Sequence, residues 1–372
     1  MNTEKKARKR YLPEVEDEYF ESFTAIRKQH QLTWNDVFKR FQIYQNGIEY
    51  IFSAPGEMTK QLKLDLNTVM GLINLWISNI RENWYVIDTH PDIKVLQNTL
   101  SDTPAIVIGA GPSLQINKHL DLLSTCGADM NKFTILSTAH SLKACLEHGV
   151  IPNFCSFVDG SPVMEEFIDD PLVDEYADAI KMVFCASTHP DVVKRWKGKD
   201  NYFFSSGIPQ NLVPNVDTFL SVLLPELAQL DTGGNSGSFS YSLAAHLGCN
   251  PVAMIGMDLA YPKGFPYEKT QYYDAYMRSV GTGYKNKKEM IDKCYTDFKH
   301  PVFGTESYYD FVYEVFLNSL IEMVKYNKKN LGTQLVNCTE GGAIHGDDIE
   351  CCTLKAFLDK FAGGVENAHP VP

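Results

Sequence analysis

From Pro104 onward the sequence is cut into short apolar runs, each followed by an amphipathic stretch, and few architectures accommodate that alternation. The runs at 105–108, 133–136, 154–158, 181–186, 202–204 and 252–255 read as strands. Near-continuous apolar strands are buried on both faces, and crossover helices between them impose a parallel sheet. The sequence therefore predicts an α/β, Rossmann-like, mostly parallel sheet with helices on both faces.

The flanks differ. Residues 11–30, 34–50 and 62–81 read as helices, the last with Leu62, Leu66, Val69, Met70, Ile73, Ile77 and Ile80 at helical spacing. A helical N-terminal region over 1–100, a catalytic domain over 101–350 and a C-terminal helix and tail over 351–372 are expected. Residues 264–300 are rich in Tyr, Gly and Lys without periodicity, which suggests a long functional loop or a short insertion. Ser307 and Asp310, at a spacing close to a capping box, predict a helix over 307–325. A strand at 334–337 and a helix at 354–361 follow.

With 372 residues, 44% of them apolar, the chain can build one large core and a smaller unit. A formal charge of −12 argues against nucleic acid as a partner, because that affinity comes from cationic side chains. The basic run Lys5, Lys6, Arg8, Lys9 and Arg10 reads as a solvated terminus. Nine cysteines without CxxC pairs or histidines at zinc-ligand spacing read as reduced thiols. No run reaches the roughly 18 to 20 apolar residues of a membrane span, and the N-terminus lacks a signal-peptide core. A cytoplasmic, soluble protein without a transmembrane segment is expected.

Three segments could carry chemistry. Residues 109–114, Gly-Ala-Gly-Pro-Ser-Leu, follow the first strand. Gly109 and Gly111 permit a tight turn, Pro112 suits a first helical turn, and the amides around Ser113 would face an anion such as a phosphate. The third glycine of a dinucleotide fingerprint and any GxxxxGK[ST] loop are missing, which moves NAD oxidoreductases and P-loop kinases back. Residues 231–238 form a second nest of amides and hydroxyls through Thr232, Gly233, Gly234, Asn235 and Ser236. Asp258, past the end of the 252–255 strand, would bind a ribose hydroxyl or magnesium, or else brace its turn. Asp159 stands in the same way after the 154–158 strand, and the two aspartates could share a cation. His300 is a candidate general base, with His140, His189 and His345 as rivals. Tyr261, Tyr267, Tyr272, Tyr273 and Tyr276 could offer phenols to a leaving phosphate or simply pack.

Segments 109–114, 141–159 and 247–261, in that order, resemble the MptE-like family over about residues 85–350. That family includes archaeal 6-hydroxymethyl-7,8-dihydropterin diphosphokinases and the central domain of the motility accessory factor (Maf) proteins, which glycosylate flagellins. Residues 336–346 resemble the Asn-x-Thr-Glu-Gly-Gly-Ala segment of the Maf branch, although this chain is much shorter than full Maf proteins. The glycine loops and the Gly-x-Asp-x-x-Tyr strand end are also similar to bacterial sialyltransferases that use CMP-sialic acid. The resemblance implies a GT-A or sialyltransferase-like core. It implies nucleotide contacts from Gly111, Ser113, Thr232, Gly233 and Gly234, a phosphate contact from Tyr261, and His300 as base. The expected co-substrate is a CMP-activated, nonulosonic-type sugar, with no tightly bound cofactor and a protein or glycan hydroxyl as acceptor, a surface or filament protein among them. ATP with magnesium for diphosphate transfer is the alternative, and a non-catalytic nucleotide-binding module the third.

Overall fold

The computed structural model describes residues 60–207 and 227–362. The helices expected at 11–30 and 34–50 lie outside them. Nine parallel strands form the main sheet: β1 Ala105–Ile108, β2 Thr134–Thr138, β3 Phe154–Phe157, β4 Lys181–Cys185, β5 Asn201–Ser206, β6 Gln229–Leu230, β7 Val252–Ile255, β11 Leu335–Asn337 and β12 Ile349–Cys351. Their order is β12-β11-β7-β1-β2-β3-β4-β5-β6. The chain moves outward from β1 to β6, returns to place β7 beside β1, and moves outward again on the other side. The order thus reverses between β1 and β7, where loops leave the sheet in opposite directions and open a crevice at the carboxyl ends.

The labelled helices are α1 Lys60–Thr89, α2 Ser113–Ile116, α3 His119–Thr125, α4 Ala139–Glu147, α5 Ser236–His246, α6 Phe311–Leu331 and α7 Leu354–Ala362. Alternate strand residues face opposite layers, as the pleat requires. Val107, Leu136, Phe154, Met254 and Leu335 pack with Phe239 and Leu243 of α5 and with Leu320 and Val324 of α6. Ile106, Ile108, Ile135, Ala253 and Ile255 pack on the other face with Leu120 and Leu123 of α3 and Leu354 and Phe357 of α7. The expected doubly covered, Rossmann-like α/β sheet is the fold observed.

Helix α1 belongs to this core, since Ile80 and Ile87 share a cluster with Phe157 and Phe184. Asn79 donates to the carbonyls of Gly160 and Ser187, both at 2.9 Å, and Asn83 to that of Thr188 at 2.7 Å. Two buried amides therefore satisfy carbonyls that the ends of β3 and β4 leave free.

The aperiodic 264–300 segment is an ordered module. It contains helices Tyr273–Met277 and Lys287–Cys294 and contributes to a three-stranded antiparallel sheet of β8 Tyr261–Pro262, β10 Glu306–Asp310 and β9 Tyr295–Lys299. Tyr261, Tyr273, Tyr295 and Tyr308 form its core with Met290 and Cys294. Aromatic packing of this kind leaves no 3.6-residue period, which is why the sequence reads as a loop.

Helix α6 starts at Phe311 rather than at 307. Ser307 pairs with Pro262 and Phe298 within the small sheet. Asp310 caps the helix alone, its Oδ1 accepting from the amides of Val312 at 3.0 Å and Tyr313 at 2.9 Å. The short β6 and β12 were not expected. No helix among the described residues is long and apolar enough to cross a membrane.

Candidate active site at the sheet switch point

Beyond β1 the chain passes so close to the end of β7 that only glycine fits. A Cβ on Gly111 would lie 2.1 Å from Asp258 Oδ2 and 2.8 Å from the Gly256 carbonyl. Instead the Gly111 amide donates to that carbonyl at 2.7 Å. The helix that follows, α2, is a single turn, and Lys118 in a left-handed conformation separates it from α3.

Asp258 fills the place where the sequence suggested a phosphate. Its Oδ2 accepts from the Ser113 hydroxyl at 2.8 Å and the Ser113 amide at 3.3 Å. The Ser113 amide is therefore bonded to the protein's own anion, at the turn where Gly109, Gly111, Pro112 and Ser113 were expected to meet a ligand phosphate. Asp258 is 8% exposed, and burial pushes its carboxyl up to about 6 although the Ser113 bonds oppose the shift.

The second small-residue loop comes near this turn only through the helix that it opens. Asp231 follows β6 at the far edge, but α5 runs back so that Gly237 meets Met257. A Cβ on Gly237 would sit 1.9 Å from Met257 Sδ, and one on Gly109 2.7 Å from the same sulfur. Met257 is thus wedged between the two glycine-bearing segments. Within the loop, Asp231 accepts from the Gly233 amide at 2.9 Å, Thr232 from Gly234 at 3.4 Å, and Asn235 caps α5 by accepting from Ser238 at 2.9 Å. The first-turn amides of Ser236 and Gly237 make no such bond among the described residues. Thr232 is buried and Ser236 half-buried.

A third loop, Thr339 to Ala343, braces Asp258 from behind. The Ala343 amide donates to the Asp258 carbonyl at 2.8 Å. Glu340 Oε1 accepts from the Leu354 amide at 2.9 Å at the start of α7 and lies 3.4 Å from His119 Nε2. Burial lowers the His119 pKa, and the neighbouring Glu340 opposes that shift.

These loops and the small sheet enclose a cavity of about 160 Å³. Ser113 and Asp258 line one side, Glu340, Gly341 and Gly342 another, and Tyr261, Thr305, Glu306 and Ser307 the outer wall. Among the described residues its lining contains no lysine or arginine. Gly109, Gly111 and residues 232–236 are not among its lining residues; Gly233 packs on Met323 and Gly234 on Phe316.

Other expected site residues are placed differently. His300 is 1% exposed, and both ring nitrogens are engaged. Nδ1 accepts from the amides of Val302 and Phe303, each at 3.2 Å, so Nε2 carries the hydrogen donated to the Ile344 carbonyl at 2.9 Å. Burial lowers its pKa. That ring ties a turn together and has no nitrogen left to take a proton. Tyr261 donates its hydroxyl to Asp310 Oδ2 at 3.2 Å and accepts from the Gln271 amide at 3.1 Å, so its phenol is engaged within the protein, and its ring stacks on Phe265 and Tyr313. Asp159 is exposed and accepts from the Ser161 amide at 2.8 Å, an Asx turn. Asp159 and Asp258 share no hydrogen bond. Among the described residues no group of three His, Cys, Asp or Glu could hold a metal. Of the rival histidines, His140 packs on Phe167, His189 caps the helix Pro190–Arg195, and His345 bonds the Ala343 carbonyl.

Asp310 was read only as a cap, yet it also receives the Tyr261 hydroxyl, and burial raises its pKa. Met257, Glu340 and Ser307 were missed as site residues. Their neighbours in sequence were noticed, but contacts between strands distant along the chain leave no local pattern.

The family model described as 6-hydroxymethylpterin diphosphokinase MptE-like matches residues 78–264. No curated protein sequence matches the chain. Among solved structures the chain is similar to a MAf glycosyltransferase from Magnetospirillum magneticum AMB-1, at 14% identity and a TM-score of 0.45. That likeness covers 72% of this chain and 36% of the other, so the chain spans little more than a third of that protein's length. The family match takes in just over half of the chain, including β1, β7, Asp258 and the α5 loop, and the protein belongs to the MptE-like family.

Proposed function

We propose that the protein is a nucleotide-dependent transferase that moves a sugar from a CMP-activated, nonulosonic-type donor onto a hydroxyl. The observation that carries this reading is the setting of Asp258. It is a buried carboxylate at the switch point, next to Met257, which packs on Gly237 in the first turn of the eleven-residue α5, and it lines a cavity without a lysine or arginine among the described residues. A CMP donor brings one phosphate, and the Ser236 and Gly237 amides at the positive end of the α5 dipole suit that charge. A triphosphate asks for more positive charge than these walls supply. In the transfer, Asp258 takes the acceptor's proton as its oxygen bonds the anomeric carbon, and the bond from that carbon to the phosphate oxygen breaks, releasing CMP. A carboxyl with a pKa near 6 is ionised at neutral pH and still basic enough for this step.

A thermal-shift panel of CMP, CDP, UDP, ATP and GTP, with and without magnesium, should single out CMP, and CMP-sugars should release CMP. Neither stabilisation by CMP nor release of it would sink the reading. The family description favours a second one, diphosphate transfer from ATP to a hydroxymethylpterin, with Asp258 or Asp159 holding magnesium. It predicts magnesium-dependent formation of AMP only when the pterin is present. Stabilisation by a nucleotide without any product would mark a binding module.

A further inference from the structure

Two thiols meet where the edge of the main sheet feeds the loop behind Asp258. Cys338 follows β11 and Cys352 follows β12, and their sulfurs lie 3.8 Å apart in a hydrogen bond. Asn337 and Cys351 are partners in the parallel ladder, so Cys338 and Cys352 are the next residues in register. The Cys352 amide still donates to the Asn337 carbonyl, at 3.2 Å. Neighbouring strands run about 4.8 Å apart, and a disulfide asks for Cα atoms roughly 4.4–6.8 Å apart. The two side chains also share a face. Both pack with Leu354 and Phe357 of α7, whereas Cys351 packs with the cluster on the opposite side of the sheet. The backbone is thus already set for a bond between Cys338 and Cys352, and only the side chains need turn.

The two thiols are not equivalent. Cys338 is fully buried and Cys352 half-buried. The hydrogen shared with Cys338 holds the Cys352 thiol below its usual value, and the same contact together with burial pushes the Cys338 thiol up. The reachable sulfur is therefore the nucleophile, with the buried one directly behind it.

We propose that Cys338 and Cys352 form a modification site, a dithiol that a small disulfide of the glutathione type converts reversibly into an intramolecular disulfide. The Cys352 thiolate attacks one sulfur of the oxidant, forms a mixed disulfide and releases one glutathione thiolate. Cys338 then attacks Cys352 Sγ, the bond to the second glutathione breaks, and the Cys338 proton goes to the departing thiolate. Two protein thiols are oxidised while one glutathione disulfide is reduced to two thiols. The new bond closes a ring around the loop that braces Asp258. Glu340 stands two residues after Cys338, and its Oε1 accepts from the amide of Leu354, two residues after Cys352. Ala343, inside that ring, donates to the Asp258 carbonyl. Oxidation therefore holds the brace of Asp258 against the start of α7, whichever group the site transfers.

The test treats the folded full chain with glutathione disulfide and reads intact mass, with peptide mapping after alkylation of the remaining thiols. The wild type should lose two hydrogens without keeping glutathione, the map should join the peptides of Cys338 and Cys352, and dithiothreitol should reverse both. Cys338→Ser should stop with one glutathione on Cys352, Cys352→Ser should leave Cys338 unmodified, and Cys351→Ser should react like the wild type. The oxidised protein should melt about 5 °C higher, as closing a short loop requires. It should exchange the Ala343 and Leu354 amides about tenfold more slowly. A cross-link to another cysteine, glutathione retained on the wild type, or no oxidation of the folded chain would overturn the proposal. So would oxidation that leaves the melting temperature and both amides unchanged.

Discussion

Asp258 makes the stability of the whole protein depend on pH in an unusual direction. Its carboxyl titrates near 6 in the folded protein because burial penalises the charged form, against an ordinary carboxylate value of 3.8 in the unfolded chain. Between those values the native state binds more protons than the unfolded state, so stability from this group falls as pH rises through the window and is lowest above about 6. Two pH units correspond to about 3 kcal/mol. Asp258→Asn keeps an oxygen for the Ser113 amide and hydroxyl but carries no charge. Urea unfolding of both proteins at steps from pH 4 to pH 8 isolates the term, because every other titrating group cancels in the difference. The variant should gain about 2.5 kcal/mol on the wild type across that range, because the unfolded carboxyl is already partly ionised at its lower end, whatever the offset there. A difference that stays flat with pH, or that changes in the wild type's favour, would refute the claim that Asp258 is a desolvated carboxylate, and with it the argument for its basicity.

Other substitutions probe the neighbouring contacts. Gly111→Ala forces a methyl against the Gly256 carbonyl and the Asp258 carboxylate, neither of which can swing away freely, and should cost about 1–3 kcal/mol in urea unfolding. Gly237→Ala meets the flexible end of Met257 and should cost less, so equal losses would contradict the close approach seen at Gly111. Asp310→Ala removes the cap of α6 and a partner of the Tyr261 hydroxyl. A loss of about 2 kcal/mol or more is expected, with a changed near-ultraviolet tyrosine signal, and an unaltered melting temperature would count against that hub. His300→Gln should lower the melting temperature without moving the basic or acidic limb of the pH–rate profile. Loss of turnover with full stability would restore His300 as the base.

The parallel core was legible because buried strands announce themselves locally: β1 and β7 begin and end at the predicted residues, and β2 to β5 lie within a residue or two. Gly111 and Asp258 stood out for the same reason, each following such a strand. What the sequence did not carry is the pairing between them. Nothing near Ser113 announces that its amide is bonded to a carboxylate 145 positions later. His300 misled because a histidine in an irregular segment looks free until the backbone amides of Val302 and Phe303 and the Ile344 carbonyl are seen around it. The tyrosine module was opaque for a related reason: its rings meet across helices and strands, and spacing along the chain says nothing about that.

Asp310 joins three things that could otherwise move separately: the first turn of a 21-residue helix packed on the sheet, the ring at the cavity wall, and the tyrosine-packed module. One oxygen pins the helix and the other pins the ring, so the wall cannot swing outward without uncapping a helix that is anchored in the core.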